Sequence, residues 1–199
     1  MSSTPETYPA TLEFDPPEKI ANWRPLVQWL FAIPHWIVLY VLRFVAEILA
    51  IGSWFIILFT GKLPDGIAGF QAMYQRYSAR TSLYTVFMQE DYPPFAFDTT
   101  VADPGTYPHT RVDIRPEIEN RNRLTVAFRL ILVIPQVLII GILALAALVA
   151  AIIALFVVLF TGRWPEGLRQ FVVNVEQYWV RVEAYTLLLT DVYPPFALT

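Results

Sequence analysis

The chain has 199 residues, of which 56% are hydrophobic and only 16% are charged, and its formal net charge at pH 7 is −3. Soluble domains carry about 25% charged residues, so this composition predicts a protein that is partly dissolved in a membrane. The small negative charge argues against nucleic acid as a partner. The absence of cysteine excludes disulfides, thiolate metal sites and cysteine nucleophiles.

The first elements predicted in chain order are two short strands, each beginning at a Tyr-Pro pair. Residues 8–15 alternate apolar and polar side chains with period two, and the prolines that follow end the pattern. Residues 107–113 repeat it, and the nearby prolines favour edge strands. The acidic, proline-broken residues 1–18 contain no signal-peptide pattern.

Each strand is followed by an amphipathic segment and then by an apolar run that begins at a proline. Pro34 and Pro135 stand at equivalent positions. Because proline is tolerated in the first turn of a helix, each run is predicted as a new helix. The 26 residues from 34 to 59 would rise about 39 Å, against a hydrocarbon core of about 30 Å. Each run therefore predicts one tilted transmembrane helix, and residues 18–33 and 117–134 predict interfacial helices.

Both apolar runs end in a nine-residue motif that the chain contains twice. Residues 58–66 read Leu-Phe-Thr-Gly-Lys-Leu-Pro-Asp-Gly, and residues 159–167 read Leu-Phe-Thr-Gly-Arg-Trp-Pro-Glu-Gly. Gly61 and Gly162 suit the left-handed conformation that ends a helix. The motif predicts a tight turn into an antiparallel helix, so the chain is interpreted as a tandem duplication.

The helix predicted after each turn, residues 66–88 and 167–189, carries an aromatic stripe with an arginine set into it. The stripe consists of Phe70, Tyr77, Arg80 and Tyr84 in the first copy and of Phe171, Tyr178, Arg181 and Tyr185 in the second. We interpret it as packing on the preceding helix, with each arginine held by a cation–π contact; ligand binding is the alternative. A helix of this length favours a crossing hairpin, whereas a central arginine, which costs about 2.5–3.5 kcal/mol on insertion, favours a surface position. The crossing hairpin is preferred.

Each half ends in Tyr-Pro-Pro-Phe-Ala, at residues 92–96 and 193–197. A residue before proline avoids the α region, so these segments are expected to be extended. If the hairpins cross the membrane, the segments return to the side of the Tyr-Pro strands and could pair with them. The predicted domains are a first membrane repeat over residues 1–97, a linker over 98–106 and a second membrane repeat over 107–199.

The ordered motifs Tyr-Pro, Ile-Pro, Leu-Phe-Thr-Gly-x-x-Pro-x-Gly and Tyr-Pro-Pro-Phe resemble those of the bacterial membrane proteins grouped as domain-of-unknown-function family 4389. The resemblance covers almost the whole chain, twice over. It implies an integral membrane protein and carries over no catalytic residue. The predicted fold is an all-α integral membrane protein with two tandem repeats. Each repeat has a short extended strand, an interfacial helix, a long transmembrane helix and an antiparallel amphipathic helix.

Two polar features interrupt the first apolar run. Arg43 and Glu47 stand four residues apart on one helix face. They predict a self-neutralising pair or a contact with a partner chain, with an ion path as the alternative. His35 is replaced by Gln136 in the second copy, which argues against a haem or chlorin ligand. No nucleophile–base set, phosphate loop or metal spacing is found, so we predict neither an enzyme nor a cofactor.

The predicted function is a non-catalytic membrane scaffold or accessory subunit whose partners are membrane lipids and other integral membrane subunits. Small residues between positions 144 and 154, with Arg43 and Glu47, would suit a partner helix. The alternative is a carrier of lipid or another small apolar molecule. A carrier should have a lined cavity between the two hairpins, whereas a scaffold should be packed solid.

The predicted location is the cell inner (plasma) membrane, with several crossings and parallel repeats. More basic residues lie on the side of the chain ends than near the two turns. By the positive-inside rule this bias predicts cytoplasmic termini.

Overall fold

The structure is a computed structural model that describes residues 8–198. Its elements in chain order are β1 (Ala10–Phe14), α1 (Arg24–Thr60), α2 (Asp65–Thr85), β2 (Thr110–Ile114), α3 (Arg123–Ala127), α4 (Arg129–Leu132), α5 (Ile134–Thr161) and α6 (Glu166–Thr186). The fold is mainly helical, and two apolar stretches, Arg24–Thr60 and Arg129–Thr161, are long and apolar enough to cross a membrane, judged by length and composition.

Helix α1 runs through Pro34 without a break, so the separate helix predicted over residues 18–33 is wrong for the first repeat. Contacts with α2 hold the turns on both sides of the proline. The Gln28 side chain donates to two backbone carbonyls at the end of α2, and His35 Nδ1 lies 2.5 Å from a tyrosine hydroxyl of α2. These contacts offset the cost of about 3 kcal/mol for a proline inside a helix. In the second repeat the same stretch is divided into α3, α4 and α5, and Pro135 stands in the first turn of α5.

Left-handed glycines end both long helices and start the two helical hairpins. Gly61 has φ 71° and Gly162 has φ 66°, and their N–H groups donate to the carbonyls of Ile57 and Val158. A side chain at either glycine would be strained at this φ. Helices α2 and α6 follow after the short turns and run back along α1 and α5.

The two hairpins are related by an internal pseudo-twofold axis, and α1 and α5 run antiparallel. The Ile20 N–H donates to the Gly162 carbonyl at 2.8 Å, which joins the start of α1 to the end of α5. The Arg121 N–H donates to the Gly61 carbonyl at 3.1 Å, which joins the start of the second repeat to the end of α1. The predicted parallel arrangement is therefore wrong, and so is the separation of basic residues on which the predicted orientation rested. Arg121, assigned to the terminal side, lies beside the turn of the other repeat.

The two strands pair with each other and not with the Tyr-Pro-Pro-Phe segments, which corrects that expectation. β1 and β2 form an antiparallel ribbon in which Leu12 lies opposite Val112. Residues 92–97 and 193–197 are not strands, because their prolines lack the N–H groups that a ladder needs. Each strand tyrosine instead reaches the other repeat. Tyr8 Oη donates to the Val192 carbonyl at 3.0 Å, and Tyr107 Oη donates to the Asp91 carbonyl at 2.5 Å.

The elements lie in three layers. Helices α1 and α5 contact each other and form one outer layer, and each packs on its own hairpin partner. Helices α2 and α6 contact each other and form the middle layer. The ribbon covers them, with β2 on α2 and β1 on α6. The core therefore lies between the middle layer and its neighbours, and α2 and α6 are the most deeply buried helices.

The outer side of α1 and α5 is an exposed apolar surface, which we call the apolar face. Its exposed side chains recur every three or four residues, so each helix contributes one stripe. The stripe of α1 consists of Ile37, Tyr40, Val41, Phe44, Ile48, Ile51, Phe55 and Phe59. The stripe of α5 consists of Ile134, Leu138, Ile142, Leu145, Val149, Ile152, Phe156 and Phe160.

An extended segment runs along α2. The Arg76 guanidinium donates to the carbonyls of Asp98, Thr100 and Val101 at 2.6–2.9 Å. A Cβ at Gly69, in the first turns of α2, would lie 2.1 Å from the Thr99 carbonyl oxygen, so only glycine fits there. Residues 97–100 are exposed. Helix α2 is thus coated along much of its length by irregular, exposed backbone.

Candidate binding groove

The tyrosines of the aromatic stripe are buried between the paired helices. Tyr77 and Tyr178 are 2% and 1% exposed, and both hydroxyl groups meet a polar side chain of the long helix beside them. Tyr77 bonds to His35, and Tyr178 donates to Gln136, which occupies the equivalent position in the second copy. The second pair of stripe tyrosines, Tyr84 and Tyr185, is equally buried, and the stripe phenylalanines Phe70 and Phe171 are half-buried. The histidine is therefore a hydrogen-bonding residue of the core and not an open ligand.

The stripe arginines make the predicted cation–π contacts, and the rings that they meet lie outside the stripe. Arg80 makes a buried ion pair with both carboxylate oxygens of Asp103, at 2.8 and 2.9 Å, and lies 5.4 Å from the Tyr107 ring. Arg181 lies 6.0 Å from the Tyr8 ring. Both aromatic rings belong to the Tyr-Pro strands, and Asp103 belongs to the segment predicted to be a plain linker.

A second buried charge cluster joins the end of α6 to the start of the second repeat. Asp191 accepts from Arg121 Nη2 at 2.7 Å and from Arg129 Nη2 at 2.5 Å. Arg129 also donates to the carbonyls of Tyr185 and Thr190, the equivalents of the two carbonyls that Gln28 binds in the first repeat. Both arginines lie in residues 117–134, which were predicted to be an interfacial helix. They instead hold the C-terminal end of α6.

A groove lies between α1 and α5, beside the apolar face. A cavity of about 350 Å³ lies between the two hairpins, and the exposed Arg43 and Leu148 stand at its mouth. Arg43 Nε donates to Glu47 at 2.9 Å, so these residues form the predicted i,i+4 pair. Ala144 and Leu148, their equivalents in α5, line the opposite wall. One wall is therefore charged and the other apolar.

The floor of the groove carries two glutamates of α6. Ser82 Oγ donates to Glu176 at 2.9 Å, and Tyr74 Oη donates to Glu183 at 3.1 Å. Burial raises the pKa of each carboxyl to about 7, although these hydrogen bonds act in the opposite direction. Burial thus favours the neutral form of each carboxyl more than in an exposed glutamate.

The sequence analysis did not identify these two glutamates as site residues. Gln75 and Ser82 stand at the equivalent positions of the first copy. The available signal was their spacing, because residues seven apart lie on one face of a helix. Only the antiparallel packing of the hairpins turns that face toward the space between α1 and α5.

The chemistry of the groove suits an amphiphilic molecule. Its floor offers carboxylate acceptors, its mouth offers one guanidinium, and its α5 wall is lined by alanines and leucine. Within residues 8–198 no group of three or more histidine, aspartate or glutamate side chains is placed to hold a metal ion. The groove therefore matches a polar head with hydrogen-bond donors, followed by an apolar chain.

A family model matches this chain twice, over residues 22–96 and 123–197. Each match covers one helical hairpin with its flanking segments, and equivalent residues of the two are 101 positions apart. Comparison with curated proteins and with solved structures finds no match. Because the two matched ranges together span well over half of the chain, it belongs to the family described as Domain of unknown function (DUF4389), as a tandem repeat of that domain.

Proposed function

We propose that this protein is a monotopic membrane protein, with the apolar face embedded in one leaflet and the ribbon side in water. The supporting observation is that the exposed stripes of α1 and α5 lie in one outer layer. Helix α1 has 37 residues and is about 55 Å long, far more than a hydrocarbon core of about 30 Å requires. Such a helix fits the plane of a leaflet.

The coating of α2 argues against the multi-pass arrangement that the sequence predicted. If α1 and α2 crossed the bilayer as a hairpin, the exposed residues 97–100, which belong to no helix or strand, would lie at the depth of the lipid chains. Irregular backbone facing lipid leaves polar groups unsatisfied, at several kcal/mol each. Trp23, Trp29 and Trp36 are each about half exposed near the start of α1, as expected of side chains at the boundary of a leaflet. We assign the embedded leaflet to the cell inner (plasma) membrane.

Within that leaflet we propose a non-catalytic binding protein, or carrier, for one lipid or another small apolar molecule. The observation that carries this proposal is the lined cavity between the hairpins, the feature that separates a carrier from a solid scaffold. Its volume of about 350 Å³ lies in the range of about 300–1,000 Å³ typical of small-molecule sites. Its mouth is on the apolar face, so a lipid would enter without crossing water.

A membrane scaffold or accessory subunit is the second candidate. It is favoured by the exposed Arg43–Glu47 pair, whose side chains are 59% and 55% exposed. A charge pair that faces lipid would be stabilised by a partner helix that supplies polar groups. The two candidates differ in what co-purifies with the protein, which is a lipid for the carrier and another membrane protein for the scaffold.

The test is the lipid content of protein purified in a mild detergent, compared between two alanine variants. Ala144 lines the cavity, whereas the exposed Ala146 does not, so Ala144→Phe fills the groove and Ala146→Phe is the matched control. We expect about one phospholipid per wild-type chain, the same for Ala146→Phe, and at least about a fivefold loss for Ala144→Phe, because the ring occupies the binding volume.

Recovery of the wild-type protein without lipid, or equal lipid in both variants, would overturn the carrier. Recovery in a stoichiometric complex with another membrane protein would favour the scaffold. Thermal melting of both variants in the same detergent checks that each remains folded.

A further inference from the structure

We infer that the groove selects a phospholipid whose head group ends in a primary ammonium, such as phosphatidylethanolamine, drawn from the leaflet around it. This inference rests on the proposed carrier function and names the class of molecule that the carrier holds. Three observations support the inference: the charges that face the groove, the hydrogen bonds that its carboxyls already make, and the apolar wall on the opposite side.

The charges around the groove favour a cation. Helix α1 contributes Arg43 and Glu47, and α6 contributes Glu176 and Glu183. The residues of α2 that line the groove are uncharged, and the residues of α5 that line it are all apolar. The other arginines of α2 point elsewhere: Arg76 binds backbone carbonyls of the residue 98–101 segment, and Arg80 binds Asp103. Arg43 is paired with Glu47, so a cation that enters the groove would meet the two floor carboxyls and favour their ionised form.

The floor carboxyls are matched to a head group that donates hydrogen bonds. A carboxylate accepts only, through two oxygens with about four lone-pair directions. Tyr74 donates to Glu183, which also has a side-chain hydrogen bond with Trp179, and Ser82 donates to one oxygen of Glu176. The lone pairs that remain on these carboxylates, above all on the second oxygen of Glu176, can accept from a ligand. A primary ammonium has three N–H donors, whereas the quaternary ammonium of phosphatidylcholine has none. Loss of a hydrogen bond to a charged group lowers affinity by about tenfold or more.

Arg43 is placed for the phosphate of the same head group. Its Nε–H donates to Glu47, so its Nη groups remain for a second acceptor. Arginine binds phosphate through paired N–H groups, and it is the one cation on the groove wall. Arg43 and Glu183 line the same cavities, so a zwitterionic head could meet both.

The apolar wall gives the acyl chains a path out of the groove. Ala144, Ala147 and Ala151 line it with small side chains, and the exposed Leu148 stands at its mouth. A chain lying against these residues continues onto the apolar face of α5. The head would therefore be held between the hairpins while the chains remain in the leaflet.

The test is a competition measured by native mass spectrometry on delipidated full-length protein in detergent micelles. The probes are phosphatidylethanolamine, phosphatidylcholine and phosphatidylglycerol with identical acyl chains, together with a long-chain alkylamine that has no phosphate. The variants are Glu183→Gln and Arg43→Gln. The control is Glu119→Gln, at an exposed carboxylate that pairs with Lys62 far from the groove.

We expect the wild type and Glu119→Gln to bind phosphatidylethanolamine about tenfold more tightly than phosphatidylcholine or phosphatidylglycerol. Glu183→Gln should abolish the preference over phosphatidylcholine. Arg43→Gln should reduce binding of phosphatidylethanolamine but not of the alkylamine. Thermal melting of each variant checks that the loss is not a loss of folding.

Equal binding of all three phospholipids by the wild type, with Ala144→Phe still blocking them, would overturn this inference and leave the carrier intact. Tighter binding of the alkylamine than of phosphatidylethanolamine would overturn the phosphate contact and identify a free amine as the ligand. Failure of every lipid to bind would overturn the carrier itself.

Discussion

Asp103→Asn is expected to lower the free energy of unfolding by about 3–5 kcal/mol, because it leaves the Arg80 guanidinium buried without a counter-charge. The side chains of Arg80 and Asp103 are 5% and 0% exposed. Asp103 also accepts from the N–H groups of Gly105 and Val112, both at 2.9 Å, so the carboxylate ties the residue 98–106 segment to β2. Thermal and urea unfolding in detergent measure the loss.

Two comparisons separate the buried pair from a general effect of charge. Asp15→Asn changes an exposed carboxylate and should alter stability by less than about 0.5 kcal/mol. In a double-mutant cycle, the double variant Arg80→Met with Asp103→Asn should lose less free energy of unfolding than the two single variants lose together. The difference should be about 0.5–3 kcal/mol. Additive losses, or a wild-type melting temperature for Asp103→Asn, would mean that the pair does not stabilise the fold.

Tyr77→Ala and Tyr178→Ala are each expected to lower the free energy of unfolding by about 3–5 kcal/mol, as measured for the replacement of buried phenylalanine by alanine. Each removes a buried ring and leaves its partner, His35 or Gln136, without the hydroxyl group that it bonds. Domains are stable by about 5–15 kcal/mol, so the double variant should be largely unfolded or not recovered. The measurement is the yield of monodisperse protein and its melting temperature in one detergent.

Tyr40→Ala is the matched control for this pair. Tyr40 is 79% exposed on the apolar face, so its removal should leave the melting temperature close to that of the wild type. If the double variant of Tyr77 and Tyr178 melts normally but fails to bind lipid, the stripe is part of a binding site and its packing role is refuted.

The duplication, the two long apolar helices and the family could be predicted because their signals are local. The repeated motif around Gly61 and Gly162 has a left-handed residue at the end of each helix, and a glycine at that position of the sequence indicates this conformation. The family resemblance was confirmed by the two matched ranges. Local signals of this kind do not depend on contacts with distant parts of the chain.

The arrangement of the repeats could not be predicted, because the contacts that decide it join residues far apart in the chain. The Ile20–Gly162 and Arg121–Gly61 hydrogen bonds are main-chain contacts that leave no mark in residue type. The break expected at Pro34 failed for a related reason: side-chain contacts with α2 hold the helix on both sides of it. Tertiary packing overrode the local preference of proline.

The groove was missed because its parts carry weak separate signals. Glu176 and Glu183 differ from their equivalents in the first repeat, so the duplication does not mark them. Arg43 and Glu47 were recognised as a pair, but their position opposite Ala144 and Leu148 depends on the antiparallel packing of α1 and α5. The site lies on the pseudo-twofold axis, where departures from the repeat matter most.

Cysteine labelling tests the in-plane position of α1 most directly, because the chain has no cysteine of its own. Lys19→Cys and Lys62→Cys lie near opposite ends of α1, and Thr99→Cys lies on the segment that coats α2; all three positions are exposed. In right-side-out and inverted membrane vesicles, a membrane-impermeant maleimide should label all three from one and the same side. Phe44→Cys, on the apolar face, should react only after detergent is added. Labelling of Lys19→Cys and Lys62→Cys from opposite sides would mean that α1 crosses the bilayer, and would contradict the monotopic account.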